Sequence, residues 1–499
     1  MVVQHNMQAA NANRMLNVTT SAQSKSTEKL SSGYRINRAA DDAAGLTISE
    51  KMRKQIRGLD QASTNAQDGV SSVQTAEGAL TEVHSMLQRM NELATQAANG
   101  TNSKDSDRQA IQDEIDQLTT EIDRVSETTK FNETYLLKGE AGTKTINMKA
   151  HDAGLKGTLT DNGDGTATFV MDTLNAGDKV SIGGKSYTIG SDDTDVNTWF
   201  TDNKITDTKD NKVTVNGTEY TYVGITGPTA SAGTITAGWY AKTPTAPTDP
   251  TASTKPDFAD VAKIKEAINK GGTAQVGTKT VTGMNDKNNA AGAAGADGVS
   301  DTDATVISKK KAYELASKEL LKANQIGDTE NSAKVGVGAV DKPVSLTNGT
   351  GTFQIQTGSA KVANSLSFSL HVGADADMTN KIQVNIDAMD SASLGIKGLN
   401  VKDDSGNAAT YAVDAISDAI SKVSSQRSSL GAVQNRLEHT INNLDNVVEN
   451  TTTAESRIRD TDMAEEMVNY SKNNILAQAG QSMLAQANQS NQGVLSLLQ

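Results

Sequence analysis

The sequence predicts a mainly α-helical fold with an α+β insertion: a long antiparallel helical bundle or coiled coil made from both chain ends, and a β-rich variable middle. Three observations carry this. Apolar or small residues recur at alternating spacings of three and four through residues 59–97. Others recur every seven positions through 412–450. Between these stretches the composition changes, at about Thr143, to Gly, Thr and Asp in period-2 alternation.

The first stretch places Ala62, Ala66, Gly69, Val73, Ala76, Leu80, Val83, Leu87, Met90, Ala94 and Ala97 on one seam. The last places Ile416, Val423, Leu430, Leu437 and Leu444 on another, widened by Ile420, Val433, Ile441, Val447 and Val448. Each stretch runs to about 58 Å at 1.5 Å per residue. A narrow stripe on so long a helix is stable only against another helix, so the two ends are expected to pack together. A third helix is expected over Asp105–Val125, where Ile111, Ile115, Leu118, Ile122 and Val125 repeat at four and three. The polar run Asn99–Ser103 supplies the turn that folds it back along the first.

In the middle, Val180–Ile189 reads as strand, Gly-Gly turn and strand, and Val213–Tyr222 repeats the design around Asn216-Gly217. A fainter copy lies at Ala274–Thr282, and helices are expected over Asp257–Asn269 and Ala304–Ala323. Thr243–Asp257 holds most of the prolines and reads as a linker. Leu366–Val372 and Lys381–Ile386 alternate as a hairpin feeding the last long helix. The expected domains are 1–44 with 455–499 as a terminal coiled-coil assembly domain, 45–142 with 363–454 as a helical core with its hairpin, and 143–362 as a surface-exposed insertion.

The extreme ends differ in kind. Residues 471–499 carry one charge, Lys472, among many Asn, Gln and Ser, with Ile475, Ala479, Met483, Ala487, Val494 and Leu498 on one helical face. Leu484 and Leu495 stand beside members of that face. Residues 1–24 carry Arg14 beside Met7, Met15, Leu16 and Val18. Solvated helices usually carry Lys and Glu, so an uncharged, amide-rich face reads as one that packs against copies of itself. The competing reading is a frayed terminus that orders on assembly.

Composition narrows the function classes. The chain is 36% hydrophobic but 3% aromatic, with a net charge of −13 and a mean hydropathy of −0.48. No concentrated basic face is visible, so neither nucleic acid nor an anionic membrane is an expected partner. No window has the apolar length of a transmembrane helix. Met1–Asn6 lacks the basic and apolar regions of a secretory signal, which leaves a cytoplasmic location or export by a dedicated route. There is no cysteine, and the five histidines include no His-x-x-x-His pair, so no zinc-peptidase motif is present. Gly184-Lys185-Ser186 lacks the preceding glycine of a phosphate-binding loop and reads as a hairpin turn. Asp161–Gly165 and Asp192–Asp195 lack calcium-loop spacing and read as polar turns. No enzyme activity, cofactor or metal is expected.

The stretch Leu30-Ser31-Ser32-Gly33-Tyr34-Arg35-Ile36-Asn37-Arg38-Ala39-Ala40-Asp41-Asp42-Ala43-Ala44-Gly45-Leu46 closely resembles the N-terminal signature of bacterial flagellins. Ile122–Val125, Phe131-Asn132, Leu136-Leu137, Ser428–Leu437 and Leu497-Leu498-Gln499 resemble that family too. The resemblance covers roughly residues 1–140 and 363–499. It implies a subunit secreted unfolded through the flagellar export apparatus with an export chaperone, which polymerises into the extracellular flagellar filament for motility. The cap and hook-associated proteins are then partners, beside many copies of the chain itself.

Gln88-Arg89-Met90-Asn91-Glu92-Leu93-Ala94 is similar to the flagellin segment read by the host toll-like receptor for flagellin, and Glu114 matches a third contact of that family. The resemblance therefore implies that Gln88, Arg89, Glu92, Leu93 and Glu114 serve receptor contact and subunit stacking. Arg89 and Leu93 lie one turn apart and off the seam, which places them outward. The residue pattern alone equally reads Leu93 as a flank of the core. Two rival readings stand beside the filament subunit: a hook–filament junction protein, and an adhesin displayed by the middle region.

Overall fold

The computed structural model describes residues 6–99, 101, 106–225, 234–242, 244, 253–286, 297–403 and 406–496, with side chains as far as residue 489. They divide into two compact units. One comprises Met1–Gln74, Ser367–Val384 and Ser429–Gln499; the other comprises Thr75–Leu366 and Asn385–Ser428.

The first unit joins the two chain ends. Helix α1 (Met7–Ser32) closes at Gly33, whose φ of 77° allows its N–H to reach the Lys29 carbonyl at 2.8 Å. Helix α2 (Ala43–Ala97) starts where the Asp42 carboxylate accepts the Gly45 N–H at 2.9 Å. Ala66 of α2 and Leu437 of a second long helix, Asn407–Arg459, form one buried cluster with Ile382 of the expected hairpin, whose strands are Leu366–His371 and Lys381–Ile386, and with Val372, which follows its first strand. Leu370 occupies the space beside Gly69, which no Cβ could share, and Asn65 Nδ2 donates to the His371 carbonyl at 3.0 Å.

The second unit begins with the later turns of α2, where every expected seam residue from Ala76 to Ala97 is buried. Helix α3 (Asp107–Thr128) is tied back to α2 by Arg89 Nε to Glu114 Oε1 at 2.9 Å and Arg108 Nε to the Ala97 carbonyl at 3.0 Å. Most of the turn read at Asn99–Ser103 lies outside the described residues.

The middle region leaves and returns through one ladder: Glu140–Asn147 pairs antiparallel with Ser359–Asn364, Asn147 opposite Ser359. A large insertion can stand on a short base because its two ends emerge side by side. Beyond the ladder lie two apolar cores. In the nearer, Phe169 and Phe353 stack across the antiparallel sheet of Gly157–Asp161, Thr166–Met171, Thr352–Gln356 and Lys334–Gly336. In the farther, helices α4 (Asp193–Asp202) and α5 (Val261–Ile268) bury Phe200, Ile264 and Ile268 with Trp239 of a five-stranded sheet. Trp239 Nε1 donates to Asp207 Oδ1 at 2.8 Å, so the indole is buried with its polar edge satisfied.

All three hairpins expected in the middle region form. Gly183 and Gly184 (φ 56° and 69°) and Asn216 and Gly217 (φ 49° and 83°) turn through positive φ, as type I′ hairpins require. The third pairs Thr273–Val276 with Lys279–Thr282. Two helix starts need correction. The helix expected from Ala304 is α6 (Lys309–Asn324), because Val306–Ser308 instead pairs parallel to Thr188–Gly190 and Ser308 then caps the helix through Lys311 N. That expected from Asp257 starts at Val261, after Phe258 bridges to Trp239, and Asp260 caps it. Thr243 and 245–252 of the expected linker lie outside the described residues.

A short helix, α7 (Ser391–Leu394), is held to α3 through Asp123, which accepts from Ser391 N at 2.7 Å. The chain then enters α8 (Asn407–Arg459), capped by Asp403 through the N–H groups of Gly406, Asn407 and Ala408. Helix α9 (Met463–Ser496) completes the fold.

Candidate functional site on the terminal helices

Helices α1 and α9 pair antiparallel. Asn6 Nδ2 donates to the Ala487 carbonyl at 3.2 Å, Leu16 packs beside Gly480, and Lys29 reaches Glu466 at 3.6 Å. The Asn6 carboxamide also caps α1 through Ala9 N.

Where α1 leads into α2 and α8 into α9, the two connections pair. Arg35 N donates to the Arg459 carbonyl at 2.7 Å and Thr461 N to the Gly33 carbonyl at 3.0 Å. The Arg459 guanidinium lies 4.8 Å from the Tyr34 ring centre and 2.7 Å from Glu50 Oε1. Its hydrogen bond holds the Glu50 carboxyl below the usual range. The α1–α9 pair is therefore anchored to the beginning of α2 and the end of α8 by backbone and side chain together.

The seam between α1 and α9 does not cover all the apolar surface that these helices carry. Met7 is 74% exposed, Ile475 66% and Met483 67%, and Met15, Val18, Met467, Val468 and Leu476 are exposed as well. Leu16 and Leu484 are half-buried. Met467, Val468, Ile475 and Leu476 line one shallow groove along α9, and a second, between the helices, is lined by Met15, Leu16, Leu476 and Met483 among others. An apolar surface this extended is uncommon on an isolated chain. The side chains of Val494 and Leu495, and all of Leu498, lie outside the described residues.

The second group of expected residues lies on α2 and α3. Arg89 bridges Glu114 at 2.9 Å and Glu92 at 3.2 Å, with all three side chains substantially exposed, and Glu114 and Glu92 keep its guanidinium more firmly protonated. Gln88 contacts His84 at 3.1 Å. The outward placement of Leu93 does not hold, since its side chain is 2% exposed. Three residues after Met90 and four before Ala97, Leu93 widens the buried stripe.

Among the described residues, no group of three or more His, Asp or Glu side chains is arranged to hold a metal ion, and no helix is long and apolar enough to cross a membrane. The carboxylates of the acid-rich turns are spent locally: Asp161 accepts from Gly163 N, Asp164 from Thr166, and Asp192 caps α4.

The family model of the bacterial flagellin N-terminal helical region matches residues 3–142, and that of the C-terminal helical region matches 413–498. A flagellin of Clostridium tyrobutyricum is 38% identical over 495 residues, covering 99% of this chain and 100% of that protein. Flagellin of Bacillus subtilis (strain 168) is 34% identical over the full length of both, and flagellin D of Vibrio cholerae is 32% identical over 99% of each.

Proposed function

The chain belongs to the bacterial flagellin family, and on that premise we propose that it is a structural subunit that polymerises through its terminal helices into the extracellular flagellar filament. The observation that carries this reading is the uncovered apolar surface of α1 and α9, anchored by the Arg459 contacts yet left open along Met7, Met15, Ile475 and Met483. A contact that joins unlike patches without closing into a ring generates a filament. In this reading 1–44 with 455–499 form the inner tube, 45–142 with 363–454 the surrounding shell, and 143–362 the outer surface. Export with a chaperone and assembly beneath a cap, on a hook-associated base, belong to the same proposal.

Removing residues 471–499 is expected to leave a helical, soluble chain that fails to polymerise, because the buried stripes of α2 and α8 survive while the open surface is lost. Electron microscopy after seeding with short filament fragments checks this, and filaments built from the truncated chain would place the interface elsewhere.

The charged cluster of Arg89, Glu92 and Glu114, with Gln88 beside it, is proposed as the contact for the host toll-like receptor for flagellin. The support is an exposed guanidinium shared between two helices, and Leu93 contributes by setting the helix surface beneath it. Arg89→Ala is expected to lower activation of receptor-reporter cells at least tenfold, in line with an interfacial arginine anchor. The circular dichroism of the chain should stay unchanged, since these ion pairs are exposed. Equal potency of variant and parent would remove Arg89 from the contact.

A further inference from the structure

Sulfur is unevenly placed in this chain. There is no cysteine, so the 14 methionines carry all of it. Among the described residues, all five methionines of α1 and α9 are exposed: Met7, Met15, Met463, Met467 and Met483. Of the eight elsewhere, only Met378 is exposed; Met52 and Met86 are half-buried, and Met90, Met148, Met171, Met284 and Met389 are buried. The exposed thioethers also sit within the open apolar surface itself. Met467 lines the groove along α9, and Met15 and Met483 line the groove between the helices.

A thioether suits such a face in two ways. Unbranched and polarizable, it fills irregular apolar contacts. It is also a side chain that an oxidant turns polar and a reductant turns back. With hydrogen peroxide, a sulfur lone pair attacks one peroxide oxygen; the S–O bond forms as the O–O bond breaks, sulfur loses two electrons, and the other oxygen leaves as water. A reductase fed by a dithiol reverses the step: the sulfoxide oxygen leaves as water and the dithiol becomes a disulfide. The oxidant must reach the sulfur, so exposure selects the terminal helices and spares the packed cores.

We infer that the exposed methionines of α1 and α9 are reversible oxidation sites that set whether the chain can add to a filament. The inference rests on the reading of this face as the subunit contact. A sulfoxide there leaves the monomer folded, because its oxygen stays in water. In the contact the same oxygen gives up its water among apolar side chains, which disfavours assembly. Reduction returns the face to its apolar state.

The test uses full-length monomer treated with dilute hydrogen peroxide, cleared with catalase and added to untreated filament seeds. Peptide mass spectrometry is expected to find sulfoxide at Met7, Met15, Met467 and Met483 at least tenfold ahead of Met90, Met171 and Met284. The concentration needed for seeded growth should rise roughly tenfold, with unchanged circular dichroism. Methionine sulfoxide reductases of both epimer specificities, supplied with dithiothreitol, should restore growth. A chain carrying Met7→Leu, Met15→Leu, Met463→Leu, Met467→Leu and Met483→Leu keeps the apolar volume and should grow after peroxide as it does before. Sulfoxide-bearing monomer that grows at the parental concentration would overturn the inference. So would growth that is lost equally in the leucine variant, or that the reductases do not restore. Failure of the untreated parent to grow on seeds would overturn the filament reading, and this inference with it.

Discussion

Arg108→Ala is expected to destabilise the unit that contains α3 by about 3 kcal/mol or more, from the loss of several hydrogen bonds to a buried charge. Arg108 is 2% exposed, and its guanidinium satisfies the Ala97 carbonyl at 3.0 Å, the Asp403 carbonyl at 2.7 Å and the Asn99 carbonyl at 3.5 Å. The last turn of α2 leaves carbonyls without helical partners, and the partial negative charge there favours a cation. Asp403, whose carbonyl the arginine also takes, spends its own side chain capping α8. One residue therefore ties the end of α2, the start of α3 and the start of α8. Truncating it leaves the buried Ala97 carbonyl without the partner that the guanidinium supplies.

Thermal unfolding followed by circular dichroism checks the magnitude. Arg108→Lys should restore less than half of the loss, because a single ammonium cannot span carbonyls that a planar fork reaches together. Parental stability in Arg108→Ala would mean that water replaces the guanidinium and that the three segments hold together without it.

Arg108 also shows where sequence reading stops. The long helices were legible because a seam repeats locally: every residue placed on the first seam, from Ala62 to Ala97, is buried, and so are Ile416, Val423, Leu430, Leu437 and Leu444 on the second. The hairpins were legible because Gly-Gly and Asn-Gly specify their own turns. Arg108 looks like any arginine in the first turn of a polar helix, since the carbonyls that hold it come from residues 97, 99 and 403. The ladder of 140–147 with 359–364 and the parallel pairing of 306–308 with 188–190 were hidden for the same reason: partners distant in sequence leave no local period. Leu93 was ambiguous in a different way. Spacing puts it at the margin of the stripe, and only the packing of its surroundings decides which side of that margin is buried. In the terminal helices the signal was an absence of charge, which gave no register for the pairing of α1 with α9; Leu16 beside Gly480 and Asn6 on the Ala487 carbonyl supply that register within the chain.

Met483→Glu is expected to abolish polymerisation while leaving the monomer intact. Met483 is 67% exposed in the single chain, so a carboxylate there costs the fold little. Glutamate is also a good helix former, and α9 loses no propensity by the exchange. In a filament every copy would carry this carboxylate into an apolar contact, and an unpaired buried charge costs about 3 kcal/mol or more. That corresponds to a rise of roughly 100-fold in the concentration needed to sustain growth, since each 1.4 kcal/mol is tenfold. Ala477, which is buried within the monomer, provides the contrast: Ala477→Glu should lower helicity before any assembly is attempted. Seeded growth watched by light scattering, with circular dichroism of both variants, separates a lost interface from a lost fold. Filaments of Met483→Glu at parental concentrations would mean that this face of α9 stays in solvent after assembly, and would move the subunit contact to the other exposed residues of the pair, Met7, Met15 and Val18 on α1.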